Sequence, residues 1–321
     1  MIVVTGAAGF IGSVLVKALN DRGHKDVLVV DTLGSDGKFK NLRVKQFTKI
    51  VTPALFAEQL EAGAYKPEAI LHIGAITDTS EPDADLMLRK NTDYTGFLAE
   101  IAMQRGIRFI YASSASVYGN GSLGFSDDDS LTPKLQPLNP YAFSKWLTDN
   151  EAIREGWNEK IVGLRFFNVF GPNEYHKGRM ASVVWHSYNQ VRDTGKIQLF
   201  QSHKEGIAHG HQARDFIWVG DVVNVILWFL DHPNVNGIYN LGTGKARTYN
   251  DLAAALFAAM DRSPNIEYIP TPENIRRSYQ YFTEADLAKL RAAGCDFAFT
   301  PLEDAVQEYV QGYLQKDNPY A

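Results

Sequence analysis

Short apolar runs alternate with helix-length amphipathic segments through the first half of the chain. Ile2-Val3-Val4-Thr5 is a compact apolar run, and Phe10, Ile11, Val14, Leu15, Ala18 and Leu19 follow at three- and four-residue spacing, the stripe of an amphipathic helix. Val27-Leu28-Val29-Val30 reads as the next strand and ends at Asp31. Ala69 to Ile73, Phe109 to Ala112 and Ile161 to Leu164 continue the series. Runs without polar alternation suit strands buried on both faces, and their alternation with helices predicts a parallel, doubly wound α/β sheet. Beyond residue 167 the pattern changes: Gly, Pro, His and aromatic residues are frequent from 168 to 212 and regular alternation stops. Phe216 to Val219 and Ile238 to Leu241 read as strands of different parts of the structure. Capping signals at Thr248 with Asp251, Thr283 with Asp286, and Thr300 with Pro301 and Glu303 predict three late helices, the middle one ending at Gly294.

Composition narrows the class. Apolar residues are 45% and charged residues 21% of the 321, as in an ordinary globular chain, and that excludes disorder and collagen-like architecture. A net charge of -5 argues against nucleic-acid partners and against anionic membranes. Cys295 is the single cysteine, so no internal disulfide forms, which fits a reducing cytoplasm. No apolar run reaches the ~18 residues of a membrane span. The opening MIVVTGAAGFIG lacks the basic start and cleavage site of a signal peptide. The polar stretch 120–140, with Asp127-Asp128-Asp129 inside it, reads as an exposed loop.

The candidate chemistry lies at strand ends. Gly6, Gly9 and Gly12 separate the first strand from the first helix, where a backbone turn can approach a pyrophosphate and the helix N-terminus stabilises its charge. Asp31 stands 19 residues after Gly12, where an acid hydrogen-bonds the adenosine ribose and favours NAD over NADP. Lys38 and Arg43 follow, positioned to neutralise a 2′-phosphate, so this reading leaves the choice open. Tyr141 and Lys145 share a helix face, and an ammonium beside a tyrosine is expected to lower its pKa toward useful acid/base chemistry. Ser113, Ser114 and Ser116 sit at the C-terminal end of a predicted strand, where ligands of open α/β sheets bind.

In this order TGAAGFIG, SSASVYG, Tyr141-Ala142-Phe143-Ser144-Lys145, RFFNVFGP and YNLGTG resemble the extended short-chain dehydrogenase/reductases. The resemblance implies a Rossmann-type domain over 1–167 plus about 213–236, and a smaller mixed α/β substrate-binding domain over 168–212 plus about 237–321. It makes Ser114 the catalytic serine. Ala115-Ser116 stands where dehydratases carry an acidic pair, which disfavours dehydration. GPNEYHKGRMASVVWH (171–186) and IEYIPTPENIRRSYQYFTEADLAKLRAAG are similar to segments of the ADP-L-glycero-D-manno-heptose 6-epimerase family. That similarity implies tightly held NADP in preference to NAD, an ADP-heptose substrate and a homopentamer, while the charge balance already argues for neither nucleic-acid nor membrane partners. The implied reaction inverts C6″ through a transient 6″-ketone with reversible hydride transfer, in lipopolysaccharide core assembly.

Carried over by position, Tyr141 and Lys177 are the implied acid/base pair. Phe10, Ile11, Asp31, Thr32, Lys38, Asn91, Lys145, Val169 and Lys177 are implied cofactor contacts, with Ile73, Gly74, Ala75, Ile76 and Thr77. Ser114, Asn168, Arg179, His186, Phe200, Gln201, Ser202, His203, Arg214 and Tyr279 are implied substrate contacts. Three departures stand out: Ile73 replaces a usual polar residue, Pro53 stands where a cofactor lysine is usual, and the loop Gln201 to Ala213 is longer. His203, His209 and His211 in that loop lack an acidic or Cys partner at metal-ligand spacing, so no metal is expected. His72 on a buried strand reads as a satisfied core histidine, and Trp157, Trp185, Trp218 and Trp228 as core or interface aromatics. A UDP-hexose 4-epimerase is the nearest rival and needs one principal base, against which Lys177 argues. A non-catalytic dinucleotide sensor is the rival of another class.

Overall fold

In the computed structural model, which describes residues 1–276 and 279–321, the strands are β1 (Ile2–Thr5), β2 (Val27–Val30), β3 (Lys49–Val51), β4 (Ala69–His72), β5 (Arg108–Ser114), β6 (Val162–Phe166), β7 (Asn168–Phe170), β8 (Ile197–Phe200), β9 (Ala213–Arg214), β10 (Phe216–Trp218), β11 (Gly237–Leu241), β12 (Arg247–Thr248) and β13 (Ile266–Ile269). The α-helices are α1 (Phe10–Asp21), α2 (Pro53–Glu61), α3 (Ala84–Met87), α4 (Tyr94–Gln104), α5 (Pro140–Arg154), α6 (Val183–Thr194), α7 (Val219–Asp231), α8 (Tyr249–Ala259), α9 (Glu273–Arg276), α10 (Ala288–Ala292) and α11 (Leu302–Tyr309).

Seven strands form one parallel sheet in the order β3-β2-β1-β4-β5-β6-β11. Its apolar runs are explained by what covers them. Val4, Val29 and Leu71 face one side with Leu15, Val16 and Leu19 of α1 and Val222, Ile226 and Phe229 of α7. Val3, Leu28 and Ile70 face the other, against Phe56 and Leu60 of α2 and Leu98 and Ala102 of α4. Burying both faces removes any need for polar alternation. This is the doubly wound α/β fold expected from the sequence.

A second lobe has its own apolar cluster, built from Val184 of α6, Leu252 and Phe257 of α8, and Val306 and Tyr309 of α11. The parallel pair β8–β13 lies beside it. The boundary expected near 237 is corrected by β11: Gly237 to Leu241 pairs along its whole length with β6, as the outer strand of the main sheet. Ile238, Tyr239 and Leu241 are buried there, so the strand completes the sheet's cover.

Of the three helix starts, Thr248 and Asp251 form a reciprocal capping box, as expected. The other two are corrected. Thr283 accepts a hydrogen bond from the Asp215 N–H at 3.4 Å and α10 begins later, at Ala288. Thr300 donates from its hydroxyl to Asp221 Oδ1 at 2.9 Å, and Pro301 precedes α11 without a side-chain cap. Gly294 follows α10 with φ +91°, the left-handed stop expected of it. The acidic run is also corrected at one residue. Asp127 is buried, its carboxylate accepting the Asn240 N–H at 2.8 Å, while Asp128 is exposed. Pro53 occupies the first turn of α2 behind the Thr52 cap, a position that needs no N–H donor. No helix among the described residues is long and apolar enough to cross a membrane.

Candidate active site

The parallel sheet places the ends of β1, β4, β5 and β6 along one edge, where helix N-termini and loops converge. Gly6 leaves β1 with φ +64°, and a Cβ on it would lie 2.6 Å from Gly74 Cα. Only a glycine lets the turn after β1 pass so close to the turn after β4. Asp31 ends β2 and is 8% exposed. Its Oδ2 accepts the Ala8 N–H at 2.8 Å, and its Oδ1 accepts the Thr32 N–H at 2.7 Å and the Lys38 ammonium at 2.8 Å. The acid that by itself favours NAD is therefore already paired with a cation. Asn91 clamps the loop after β4, accepting from Ile76 N–H at 2.8 Å and donating to Ile76 O at 3.0 Å and Ser144 Oγ at 3.1 Å.

The helix α5 starts at Pro140 because Asn139 caps it, its Oδ1 accepting the Ala142 N–H at 2.8 Å. Tyr141, Lys145 and Asp149 then fall one turn apart. Lys145 is 3% exposed, and burial pushes its ammonium down to about 8, partly offset by Asp149. Its Nζ donates to Ala112 O at 2.7 Å. The expectation that Lys145 lowers the Tyr141 pKa is corrected here: burial raises it, and hydrogen bonding with Ser114 offsets part of that rise. Ser114 itself accepts from the Ser116 hydroxyl at 2.9 Å.

Beneath these groups lies a buried polar network absent from the sequence reading. Asp149 accepts from Tyr111 OH at 2.9 Å, Ser113 Oγ at 2.9 Å and Arg165 Nε at 2.8 Å. Arg165 continues to Tyr118 OH at 3.0 Å and Thr132 Oγ1 at 2.8 Å. The four-residue spacing of Asp149 from Lys145 was the available signal. His72 sits nearby as the expected satisfied core histidine. Its Nδ1 lies 2.6 Å from Thr5 Oγ1, its Nε2 lies 2.9 Å from Thr95 Oγ1, and burial pushes its pKa down to about 3.

Across the cleft, residues 171–182 hold Lys177. Buried Glu174 organises this loop by accepting from Ser182 N, Ser182 Oγ and Tyr309 OH at 2.5, 2.7 and 3.0 Å. Asn173 takes a left-handed φ of +76°, and Gly178 turns the chain with φ +52° directly after Lys177. Lys177 Nζ lies 5.7 Å from the Phe10 ring centre, and burial lowers its pKa, partly offset by Glu174. Arg179, on the far side of the kink, reaches Asp78 Oδ2 at 2.7 Å.

A cavity of about 330 Å³ collects Phe10, Ile11, Ile73, Ala75, Thr77, Ser114, Tyr141, Lys145, Asn168, Val169 and Lys177. Glu174 and Phe216 also line it and were not singled out from sequence. Gly9, Gly12, Thr32, Gly74 and Ile76 lie along the same strand ends without lining it. Phe200, Arg214 and Tyr279 group separately, with Phe200 6.4 Å from Tyr279 between ring centres and the Arg214 guanidinium 5.5 Å from the Tyr279 ring centre. Gln201, Ser202 and His203 begin the adjoining loop: Ser202 N–H donates to His209 Nδ1 at 3.0 Å, and His203 N–H to Tyr281 OH at 3.0 Å. His186 packs edge-on to Trp185, 5.0 Å between ring centres. Arg277 and Ser278 of the C-terminal motif lie outside the described residues. Among the described residues no three His, Cys, Asp or Glu side chains are grouped to hold a metal ion.

The profile of the NAD dependent epimerase/dehydratase family matches residues 2–242. An ADP-L-glycero-D-manno-heptose-6-epimerase of Nitratidesulfovibrio vulgaris (strain Hildenborough) is 50% identical over 322 residues, covering 100% of both chains. The chain belongs to the ADP-L-glycero-D-manno-heptose-6-epimerase family. A Fusobacterium nucleatum protein of the same name is 44% identical over 335 residues, again covering 100% of both. The crystal structure of the Helicobacter pylori ADP-L-glycero-D-manno-heptose-6-epimerase superposes with a TM-score of 0.83 at 28% identity, covering 97% of this chain and 95% of that one. Membership of this epimerase family brings epimerase chemistry and a nicotinamide dinucleotide cofactor.

Proposed function

We propose that this chain inverts C6″ of ADP-D-glycero-D-manno-heptose to give ADP-L-glycero-D-manno-heptose, holding NADP through each turnover. The observation that carries the reading is a single cavity with Tyr141, Lys145 and Ser114 from the sheet side and Lys177 from the loop 171–182. A secondary carbinol without a neighbouring carbonyl has no acidic C–H, so inversion by proton abstraction alone is closed. A bound nicotinamide supplies reversible oxidation of the carbinol, and the protein supplies position and proton handling. The glycine turn at Gly6 and the Asp31–Lys38 pair fit such a dinucleotide, because backbone approaches backbone there without a Cβ between. Lys38 on Asp31 supports NADP, since the carboxylate's charge is balanced before a 2′-phosphate meets it.

Each orientation of the carbinol needs its own proton acceptor and donor. The Tyr141 phenol takes or returns the proton in one orientation, with Ser114 hydrogen-bonding the same oxygen. The Lys177 amine does so in the other, its lowered pKa favouring the neutral form a base requires. Arg214, between the rings of Tyr249 and Tyr279, offers planar donors suited to a pyrophosphate. Phe200, Gln201, Ser202, His203, Arg179 and His186 complete the proposed substrate contacts. The family resemblance supports a homopentamer, and a nucleotide-sugar substrate and a lone buried cysteine support a cytoplasmic setting.

Incubation with ADP-D-glycero-D-manno-heptose and chromatographic separation of the epimers tests the activity. Tyr141→Phe and Lys177→Met are each expected to abolish net epimerisation while keeping a single-turnover rise in reduced-cofactor absorbance, each with a different epimer. Lys145→Met is expected to impair both epimers alike. Near-normal epimerisation by Lys177→Met would return the one-base UDP-hexose 4-epimerase reading.

A further inference from the structure

The last residues of the chain run across the outer side of the loop that carries Lys177. Tyr175 donates from its hydroxyl to Pro319 O at 2.6 Å, and Ala321 N–H donates to Asn173 Oδ1 at 3.0 Å. The rings of Tyr175 and Tyr320 meet edge to face, 5.3 Å between centres. The same residues reach the segment that carries Lys38. The Arg43 guanidinium lies 5.1 Å from the Tyr320 ring centre, and Lys45 Nζ donates to Ala321 O. Asn41 closes the circuit, its Nδ2 donating to Ala8 O at 2.9 Å in the glycine turn and to Asn173 O at 3.0 Å in the Lys177 loop. Asn173 Nδ2 in turn donates to Ser13 Oγ of α1 at 2.9 Å. Asn41, Asn173, Lys45 and Ala321 are all buried, so these bonds are shielded from water.

We propose that Pro319 to Ala321 form a positioning strap that ties the Lys177 loop to the segment 38–45, so that retention of the dinucleotide and the aim of Lys177 depend on the same contacts. The strap rests on the two-base reading above for its effect on Lys177, and not for its effect on retention. Packing alone does not account for it, because among the described residues Tyr320 belongs to none of the apolar clusters. What Tyr320 touches instead is one residue of each tethered segment, Tyr175 and Arg43. Tyr320 is thus a positioning residue, acting through the two segments it holds. A small displacement of a reacting group lowers rate steeply, so a strap of this kind has leverage on chemistry it never touches.

The test uses the holoenzyme with Tyr320→Ala and Tyr320→Phe, the second keeping the ring that meets both Tyr175 and Arg43. Release of NADPH is followed by its fluorescence, and single-turnover cofactor reduction is followed with each ADP-heptose epimer. Tyr320→Ala is expected to release cofactor at least about tenfold faster, and to slow the half-reaction that Lys177→Met abolishes about tenfold more than the other. Tyr320→Phe is expected to restore both. Equal slowing with both epimers, or release at the wild-type rate, overturns the strap. Should Lys177→Met leave both half-reactions intact, the two-base reading alone fails, and the release rate decides the strap by itself. If Tyr320→Ala does not fold, as judged by circular dichroism, Tyr175→Phe removes the bond to Pro319, along with the hydroxyl's contacts to Tyr309 and the Asn173 backbone, and is read by the same two measurements with the same expected directions.

Discussion

Arg165→Met probes the foundation of the site without touching the cavity. Arg165 and Asp149 are 1% and 0% exposed and 2.8 Å apart, so the substitution leaves a carboxylate inside the protein without its directly bonded countercharge, Lys145 one turn away being the nearest remaining cation the structure couples to it. Removing one partner of a buried pair costs about 3–5 kcal/mol, most of it the penalty of the charge left behind. Tyr111 and Ser113 still donate to Asp149, and Tyr118 still donates to Asn240 Oδ1 at 2.7 Å, which holds the expected loss near the middle of that range. Urea unfolding followed by circular dichroism is expected to show about 4 kcal/mol lost at neutral pH. Adding Asp149→Asn removes the orphaned charge and keeps an acceptor oxygen for one of the Tyr111 and Ser113 hydroxyls, while the other can turn to accept from the new amide NH2, so the double variant should regain roughly 2 kcal/mol. A single-variant loss below about 1 kcal/mol, or a double variant less stable than Arg165→Met, would refute the claim that the pair anchors α5.

Lys38→Ala should weaken NADP at least about tenfold more than NAD, because it exposes a 2′-phosphate to the uncompensated Asp31 carboxylate; equal weakening of both, measured by fluorescence titration, would show that Lys38 does not read the phosphate. His72 gives a pH signature whose sign follows from its pKa, lowered from 6.5 to about 3 by burial. Between those values the unfolded chain binds a proton that the native protein refuses, so stability is full above pH 6.5 and is lost as pH falls. Relative to His72→Gln, the wild type should lose about 3 kcal/mol between pH 7 and pH 4 in urea unfolding; parallel pH profiles would contradict a neutral buried histidine.

The strands β1, β2, β4 and β5 were legible because burial on both faces writes itself as an uninterrupted apolar run. Short β3, with exposed Lys49 and half-buried Ile50, carries no such signal and was missed. Thr283 and Thr300 show how a capping pattern misleads: a threonine hydroxyl serves any buried partner within reach, here Asp215 N–H and Asp221, and only the tertiary fold decides which. Glycine spacing, Tyr141, Lys145 and Ser114 were readable because they lie at local turns and on one helix face. The partners of Asp149 were not, since Tyr111, Ser113 and Arg165 come from two neighbouring strands. Asn173 could have been found, as asparagine is among the few residues that accept a left-handed backbone.

The two sides of the cleft are built to different mechanical standards. Tyr141 rides on a fifteen-residue helix bolted to the sheet through Asp149, while Lys177 rides on an irregular segment broken at Gly178. A mutation that re-aims Tyr141 must disturb a saturated interior, whereas one that re-aims Lys177 can act at the kink itself and leave the ties at Asn173, Glu174 and Tyr175 in place. Diversification of substrate stereochemistry on this scaffold is therefore expected to run through residues 171–182, with the helix side inherited unchanged. Directed evolution toward other nucleotide sugars has its natural library there, in a dozen contiguous codons rather than across the sheet.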